Sequence, residues 1–261
     1  MNKAGQREGR VPTGIPELDQ MLNGGFLPLT ANLVEGAPGC GKTTLGMHFI
    51  RAGALQGEPG LILTFEQFPE QFYRDAAAFG WDFHVLEDAG LLKVIMSSPA
   101  VVKSDWEQLN GRMQNWVQET GCKRVLIDSL SHFERISRTP AVLRSHVYGF
   151  LNALKREGVT ALLTRESSIL LGDEDETTAD ASLGFLVDSY ILLRYVEIES
   201  AIRRAIIVLK MRGSRHDTHI RQFDIGPHGI YIRGPFKGRE AILSGTPQQM
   251  AESFIKAFIR R

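Results

Sequence analysis

The chain has 261 residues, 43% of them hydrophobic, enough to bury the core of one large α/β domain. Thirty basic residues balance thirty acidic ones, so net charge supplies no general pull toward nucleic acid or a membrane surface. Two cysteines, Cys40 and Cys122, make no disulfide framework and suit a reducing compartment. The first residues lack the apolar core of a signal peptide and no run of about 18 apolar residues occurs, so the cytoplasm is the expected location.

In chain order, residues 1–10 read as a flexible tail, and 11–246 as the folded domain. Apolar strand-like runs are predicted at Ala31–Glu35, Leu61–Glu66, Leu91–Met96, Arg124–Asp128 and Val159–Thr164. They alternate with helical patterns, as in a parallel sheet built from βαβ units. Trp106, Leu109, Met113, Trp116 and Val117 share one helical face, and Pro140 and Gly158 bracket another helix. Four further strands, Leu186–Tyr195, Ala205–Met211, Ile220–Ile225 and Gly229–Ile232, have no long helix between them. They are predicted to extend the sheet as antiparallel hairpins. The segment 247–261 reads as an amphipathic tail: Met250, Phe254, Ala257 and Phe258 share a face that Ile255 and Ile259 extend, and Arg260-Arg261 end it.

Directly after the first strand stands Gly36-Ala37-Pro38-Gly39-Cys40-Gly41-Lys42-Thr43, a complete G-x-x-x-x-G-K-[ST] loop in its strand-to-helix setting. Small residues let the loop amides turn inward around phosphates, Lys42 meets the β and γ oxygens, and the Thr43 hydroxyl ligates Mg²⁺. Gly39, Cys40, Gly41, Lys42, Thr43 and Thr44 are therefore the expected nucleotide contacts. Cys40 reads more simply as a small residue tolerated in the loop than as a redox-active thiol. The strand Val125-Leu126-Ile127 ends at Asp128, an arrangement that holds Mg²⁺ beside such a loop. Glu66 closes another strand, where a carboxylate can orient or deprotonate the attacking water, and with Thr43 and Asp128 it is an expected metal residue.

Taken together, Thr13-Gly14-Ile15-Pro16-Glu17-Leu18-Asp19, Gly24-Gly25, the phosphate loop, Thr64-Phe65-Glu66, Phe79-Gly80-Trp81-Asp82 and Ile127-Asp128-Ser129 resemble the KaiC branch of the RecA-like ATPases. Asp188–Ile198 and the run Val208-Leu209-Lys210-Met211-Arg212-Gly213-Ser214 with His216-Asp217 are similar to the second ATPase domain of the KaiC clock proteins. The resemblance covers residues 11 to 246 in a single copy, and it implies an α/β RecA-like P-loop fold that binds ATP and Mg²⁺. It further implies nucleotide contacts at Phe79, Arg204, Lys210, Met211, Arg212, Ser214 and His216. Lys210 and Arg212, two apart on a strand, would then reach a neighbouring subunit's γ-phosphate in a homo-oligomeric, hexameric ring.

Two departures qualify the resemblance. The family usually has two adjacent acidic residues after the second strand, whereas Glu66 is followed here by Gln67. Because adjacent strand residues point to opposite faces, only Glu66 is expected to face the water. The family's phosphorylated Ser and Thr fall, by alignment on Asp188, at Gly184 and Phe185, neither of which has a hydroxyl. Clock-type autophosphorylation at that pair is thereby excluded, with Thr177, Thr178 and Ser182 the nearest hydroxyls.

Three alternatives stand beside plain ATP hydrolysis: an autokinase with a displaced site, a DNA-recombination accessory ATPase, and a non-hydrolysing nucleotide-gated regulator. Five carboxylates in Gly172–Asp180 would repel a phosphate backbone, which disfavours nucleic acid. The simplest use of the C-terminal tail is packing against the body or a neighbour; docking of a regulatory protein and a basic amphipathic membrane contact are the alternatives.

Overall fold

A computed structural model describes residues 9–107, 112–137, 139–167, 181–236, 239–240 and 248–249. The elements in chain order are α1 (Pro16–Met21), β1 (Ala31–Gly36), α2 (Lys42–Ala54), β2 (Gly60–Thr64), α3 (Pro69–Ala77), α4 (Phe83–Asp88) and β3 (Leu92–Met96). There follow α5 (Pro99–Glu107), α6 (Arg112–Thr120), β4 (Arg124–Asp128), α7 (Ser131–Ile136), α8 (Pro140–Arg156), β5 (Thr160–Glu166) and α9 (Ala181–Gly184). The chain continues with β6 (Ser189–Ile198), β7 (Ala201–Met211), β8 (Arg221–Gly226), β9 (Gly229–Pro235) and a two-stranded ribbon of β10 (Arg239–Glu240) and β11 (Gln248–Gln249).

Nine strands form one sheet in the order β3-β2-β4-β5-β1-β6-β7-β8-β9. The first six in that order are parallel, and β6 to β9 run antiparallel, as the absence of helices between them predicts. Burial explains why the parallel strands read as unbroken apolar runs. Val34, Ile62, Leu126 and Leu162 enter one core with α1 to α4, while Leu33, Leu61, Leu63, Val125, Ile127 and Leu163 enter a second core with α5 to α9. Helices cover both faces of β1, β2, β4 and β5, so neither set of their alternate residues meets water, whereas the edge strand β3 alternates and leaves Lys93 exposed.

The helix ends follow local chemistry. Asp82 caps α4 by accepting from Val85 N at 3.1 Å, and Thr139 caps α8 by accepting from Val142 N at 3.3 Å, with Pro140 in the first turn. The helical face expected across Trp106 to Val117 is divided: Trp106 lies in α5, whereas Met113, Trp116 and Val117 lie in α6. Leu109, the acidic run 172–180 with Thr177 and Thr178, and the amphipathic positions from Met250 onward lie outside the described residues. No helix among the described residues is long and apolar enough to cross a membrane.

Two buried polar groups tie distant segments to the sheet. Arg124, at the start of β4, donates to Pro12 O at 2.7 Å, to Phe49 O at 3.1 Å and to Glu58 at 2.7 Å, fastening the segment before α1 and the end of α2 to one strand. His48 of α2 accepts from Ile230 N at 2.9 Å and stacks edgewise on Trp81 at 4.5 Å, docking the β8–β9 hairpin onto the phosphate-loop helix. A side chain at Gly229 would meet the His48 imidazole at 2.2 Å, so glycine is required for that approach.

Burial, with the Arg51 charge adding to it, pushes His48 down to about 4. A histidine whose folded value lies below its unfolded value near 6.5 gives stability that is complete above pH 6.5 and lost as pH falls toward 4. The expected loss is about 2 kcal/mol between pH 7 and pH 5. In His48→Gln an amide oxygen takes the Ile230 N–H without titrating. Urea unfolding at both pH values is expected to show a flatter acid slope in that variant, by about the same amount.

Candidate functional site

The parallel order places the ends of β1, β2, β4 and β5 side by side, and the turns leaving them enclose a cleft of about 320 Å³. Gly39, Gly41, Lys42, Thr43 and Thr44 of the loop and the start of α2, Thr64 ending β2 with Glu66 and Gln67 beyond it, Asp128 ending β4 with Ser129 beyond it, and Glu166 of β5 all line it. Strand β1 delivers the chain to the loop, and α2 carries Lys42 and Thr43 in its first turn.

Backbone conformation shows why the loop is glycine-rich. Gly39 and Gly41 have φ of 73° and 109°, values that favour glycine, and a Cβ on Gly41 would lie 2.9 Å from Ile225. A Cβ on Gly36 would meet Leu193 O at 2.5 Å. Lys42 Nζ donates to Gly36 O at 2.8 Å and Ala37 O at 2.9 Å, so the ammonium sits within the loop's own curl. Cys40 is buried beneath the loop, and burial raises its thiol pKa, which agrees with a packing role.

Thr43 Oγ1 donates to Asp128 Oδ2 at 2.8 Å, and Thr164 donates to Asp128 Oδ1. Burial raises the Asp128 pKa against these two hydroxyls and the Lys42 charge, which lower it, and Glu66 raises it further. A cation between Asp128 and Thr43 would relieve that desolvation, and both offer the hard oxygens that Mg²⁺ takes. Among the described residues no group of three or more His, Cys, Asp or Glu forms a metal cage.

The strand-end placement of Glu66 requires correction. Strand β2 stops at Thr64, and the Thr64 hydroxyl then accepts from the N–H groups of Glu66 (3.4 Å) and Gln67 (3.2 Å). The backbone curls there, strand alternation ends, and both side chains line the cleft. Gln67 Oε1 is buried with no hydrogen-bond partner. Glu66 Oε1 lies 2.9 Å from His132 Nε2.

The remaining expected residues fall into two groups at opposite ends of the sheet. Strand β6 runs parallel to β1 with Asn32 beside Ser189 and Gly36 beside Leu193, and β7 returns antiparallel with Tyr195 beside Arg204 and Ser189 beside Met211. Arg204 therefore stands at the phosphate-loop end. Its guanidinium lies 5.7 Å from the Tyr195 ring, whose hydroxyl donates to Pro38 O at 3.4 Å.

Lys210 and Met211 stand at the other end of β7, a strand length of about 20 Å away, with Arg212 just beyond. There Lys210 Nζ donates to Gly184 O at 2.8 Å and Val187 O at 2.7 Å, and Arg212 donates to Phe185 O at 2.7 Å. Burial and the Arg212 charge lower the Lys210 pKa. Met211 is buried in the core, Ser214 accepts from Arg10 at 2.7 Å, and His216 is half-buried in the same loop. Phe79 packs on Trp81 at 5.0 Å and does not line the cleft.

Four residues of the site were not singled out from sequence: Thr164, Glu166, His132 and Ile225. Thr164 and Glu166 belong to the fifth strand, and the rule that selected Asp128 and Glu66, polar residues where parallel strands end, would have found them. Nothing in sequence spacing brings His132 to Glu66.

Comparison with known proteins is consistent with this site. The family model described as an ATPase, KaiC, matches residues 11–236. The chain is 39% identical over 247 residues to the circadian clock protein KaiC3 of Synechocystis sp., covering 95% of this chain and 48% of that relative. It is 36% identical over 243 residues to the circadian clock oscillator protein KaiC of Thermostichus vulcanus, covering 93% and 46%. The chain thus spans about half the length of these curated relatives. With a nucleotide-binding cleft built on a P-loop and a matching stretch that takes in nearly the whole described fold, the chain belongs to the KaiC family of ATPases.

Proposed function

We propose that the protein hydrolyses ATP with Mg²⁺ at the subunit interfaces of a homo-oligomeric, hexameric ring, coupling nucleotide state to conformation and to a partner's signal. The observation that carries this reading is the gathering of Lys42, Thr43, Glu66 and Asp128 in one cleft, with Lys210 and Arg212 a sheet-length away at the far end of β7. Cations so placed are out of reach of the chain's own nucleotide, and a second copy is what brings them to one.

Within this reading, Lys42 exchanges its loop carbonyls for the β- and γ-phosphates, and the loop amides hold the same oxygens. Thr43 and Asp128 would hold the Mg²⁺, which neutralises phosphate charge when bound. Glu66 takes the proton of the attacking water. Arg204 and Tyr195 brace the loop from β7 and β6. Lys210 and Arg212 leave the carbonyls of residues 184–187 and stabilise the charge that develops on the neighbour's γ-phosphate, as an arginine finger does. Gly184 and Phe185 enter through their carbonyls, which gives the turn a structural use where the family's hydroxyls are missing.

Lys42→Ala is expected to abolish ATP binding in a calorimetric titration. Glu66→Gln should bind ATP normally and lose turnover by at least about 100-fold; retained hydrolysis would remove Glu66 as the base. Arg212→Ala should lose hydrolysis on its own, on the order of 1,000-fold for a finger residue. Mixed with the Glu66→Gln protein it should regain part of the wild-type rate, because some interfaces then pair an intact cleft with intact cations. A mixture no more active than its components would contradict action across the interface.

A further inference from the structure

Within the cleft, the candidate base is held by a residue that does not itself line it. His132, in the first turn of α7, is buried with 8% of its side chain exposed, while the Glu66 side chain is 52% exposed at the cleft. The His132 Nε2 lies 2.9 Å from Glu66 Oε1. Phe65 stands 5.9 Å from the imidazole, and Phe65 packs edgewise on Phe133 at 5.3 Å. The ring is thereby fixed between the chain leaving β2 and the start of α7. Its backbone N–H donates to Ser129 O, tying its position to the turn that carries Asp128.

We infer that His132 is a positioning residue for the hydrolytic step, its Nε2–H donating to Glu66 Oε1 so that the carboxylate faces the water with little freedom to rotate. This deepens the reading of Glu66 as base and rests on it. The imidazole donates through Nε2 in its charged form and in the neutral form protonated there, so the role is geometric. A flexible carboxylate on an exposed turn would sample several rotamers, whereas catalysis requires one, and a small misplacement of a reacting group costs rate steeply. The arrangement follows the general pattern in which a base is oriented by a third group. The work is placed on kcat, since His132 lies outside the cleft that receives the phosphates.

The test measures kcat and KM for ATP separately in the full chain and in its His132→Leu, His132→Gln and Glu66→Gln variants, with thermal unfolding of each. His132→Leu keeps the bulk and removes the donor; kcat is expected to fall about 10- to 100-fold with KM changed less than about twofold. His132→Gln returns an N–H donor and is expected to recover most of the rate. Wild-type kcat in His132→Leu beside a dead Glu66→Gln protein overturns the positioning role alone. So does a His132→Gln variant as slow as His132→Leu although both unfold at the wild-type temperature. If both His132 variants are destabilised and slow in equal measure, the residue is structural and the inference fails. A Glu66→Gln protein that still turns over, or a wild-type protein that does not, overturns the base assignment and this inference with it.

Discussion

A half-buried carboxylate at the end of β4 is the constraint around which the site is organised. Asp128 is desolvated, and the fold meets it with two hydroxyls, Thr43 from the phosphate-loop helix and Thr164 from the neighbouring strand. Withdrawing a carboxylate from water is costly unless it is hydrogen-bonded, and the two hydroxyls join β4, β5 and the first turn of α2 around Asp128. The same contact places Thr43 against Asp128, and with it Lys42 and the curl of the loop. The site and the junction of three elements are thus the same set of contacts.

The sheet then separates two sets of cations. Since β7 returns antiparallel beside β6, one end of it braces the phosphate loop through Arg204 and Tyr195, while the other carries Lys210 and Arg212 to the opposite pole. There the two cations hold consecutive parts of the 184–187 turn. These contacts leave further N–H donors on both side chains, since an ammonium carries three and a guanidinium five.

Much of this was legible in the sequence, for identifiable reasons. Strands β1, β2, β4 and β5, covered on both faces, leave continuous apolar runs, and the phosphate loop announces itself because its geometry tolerates few residues. Even the separation of Arg204 from Lys210 was implicit, since six strand residues span about 20 Å and cannot converge on one phosphate group. Strand order was less accessible, because the placement of β1 between β5 and β6 is settled by tertiary packing. Glu66 and Gln67 were read with strand alternation that no longer applies once Thr64 curls the backbone. The His132 contact depends on where α7 starts relative to β2, a relation that no local pattern encodes.

The central claim is that the nucleotide site is completed by a second copy of the chain. The most direct measurement is the solution mass of the purified protein with and without ATP and Mg²⁺, with phosphate release followed in the same samples across a range of protein concentrations. The account predicts a nucleotide-stabilised ring of about six subunits and a rate per subunit that rises as the ring assembles. A monomer that hydrolyses ATP at a concentration-independent rate would contradict it.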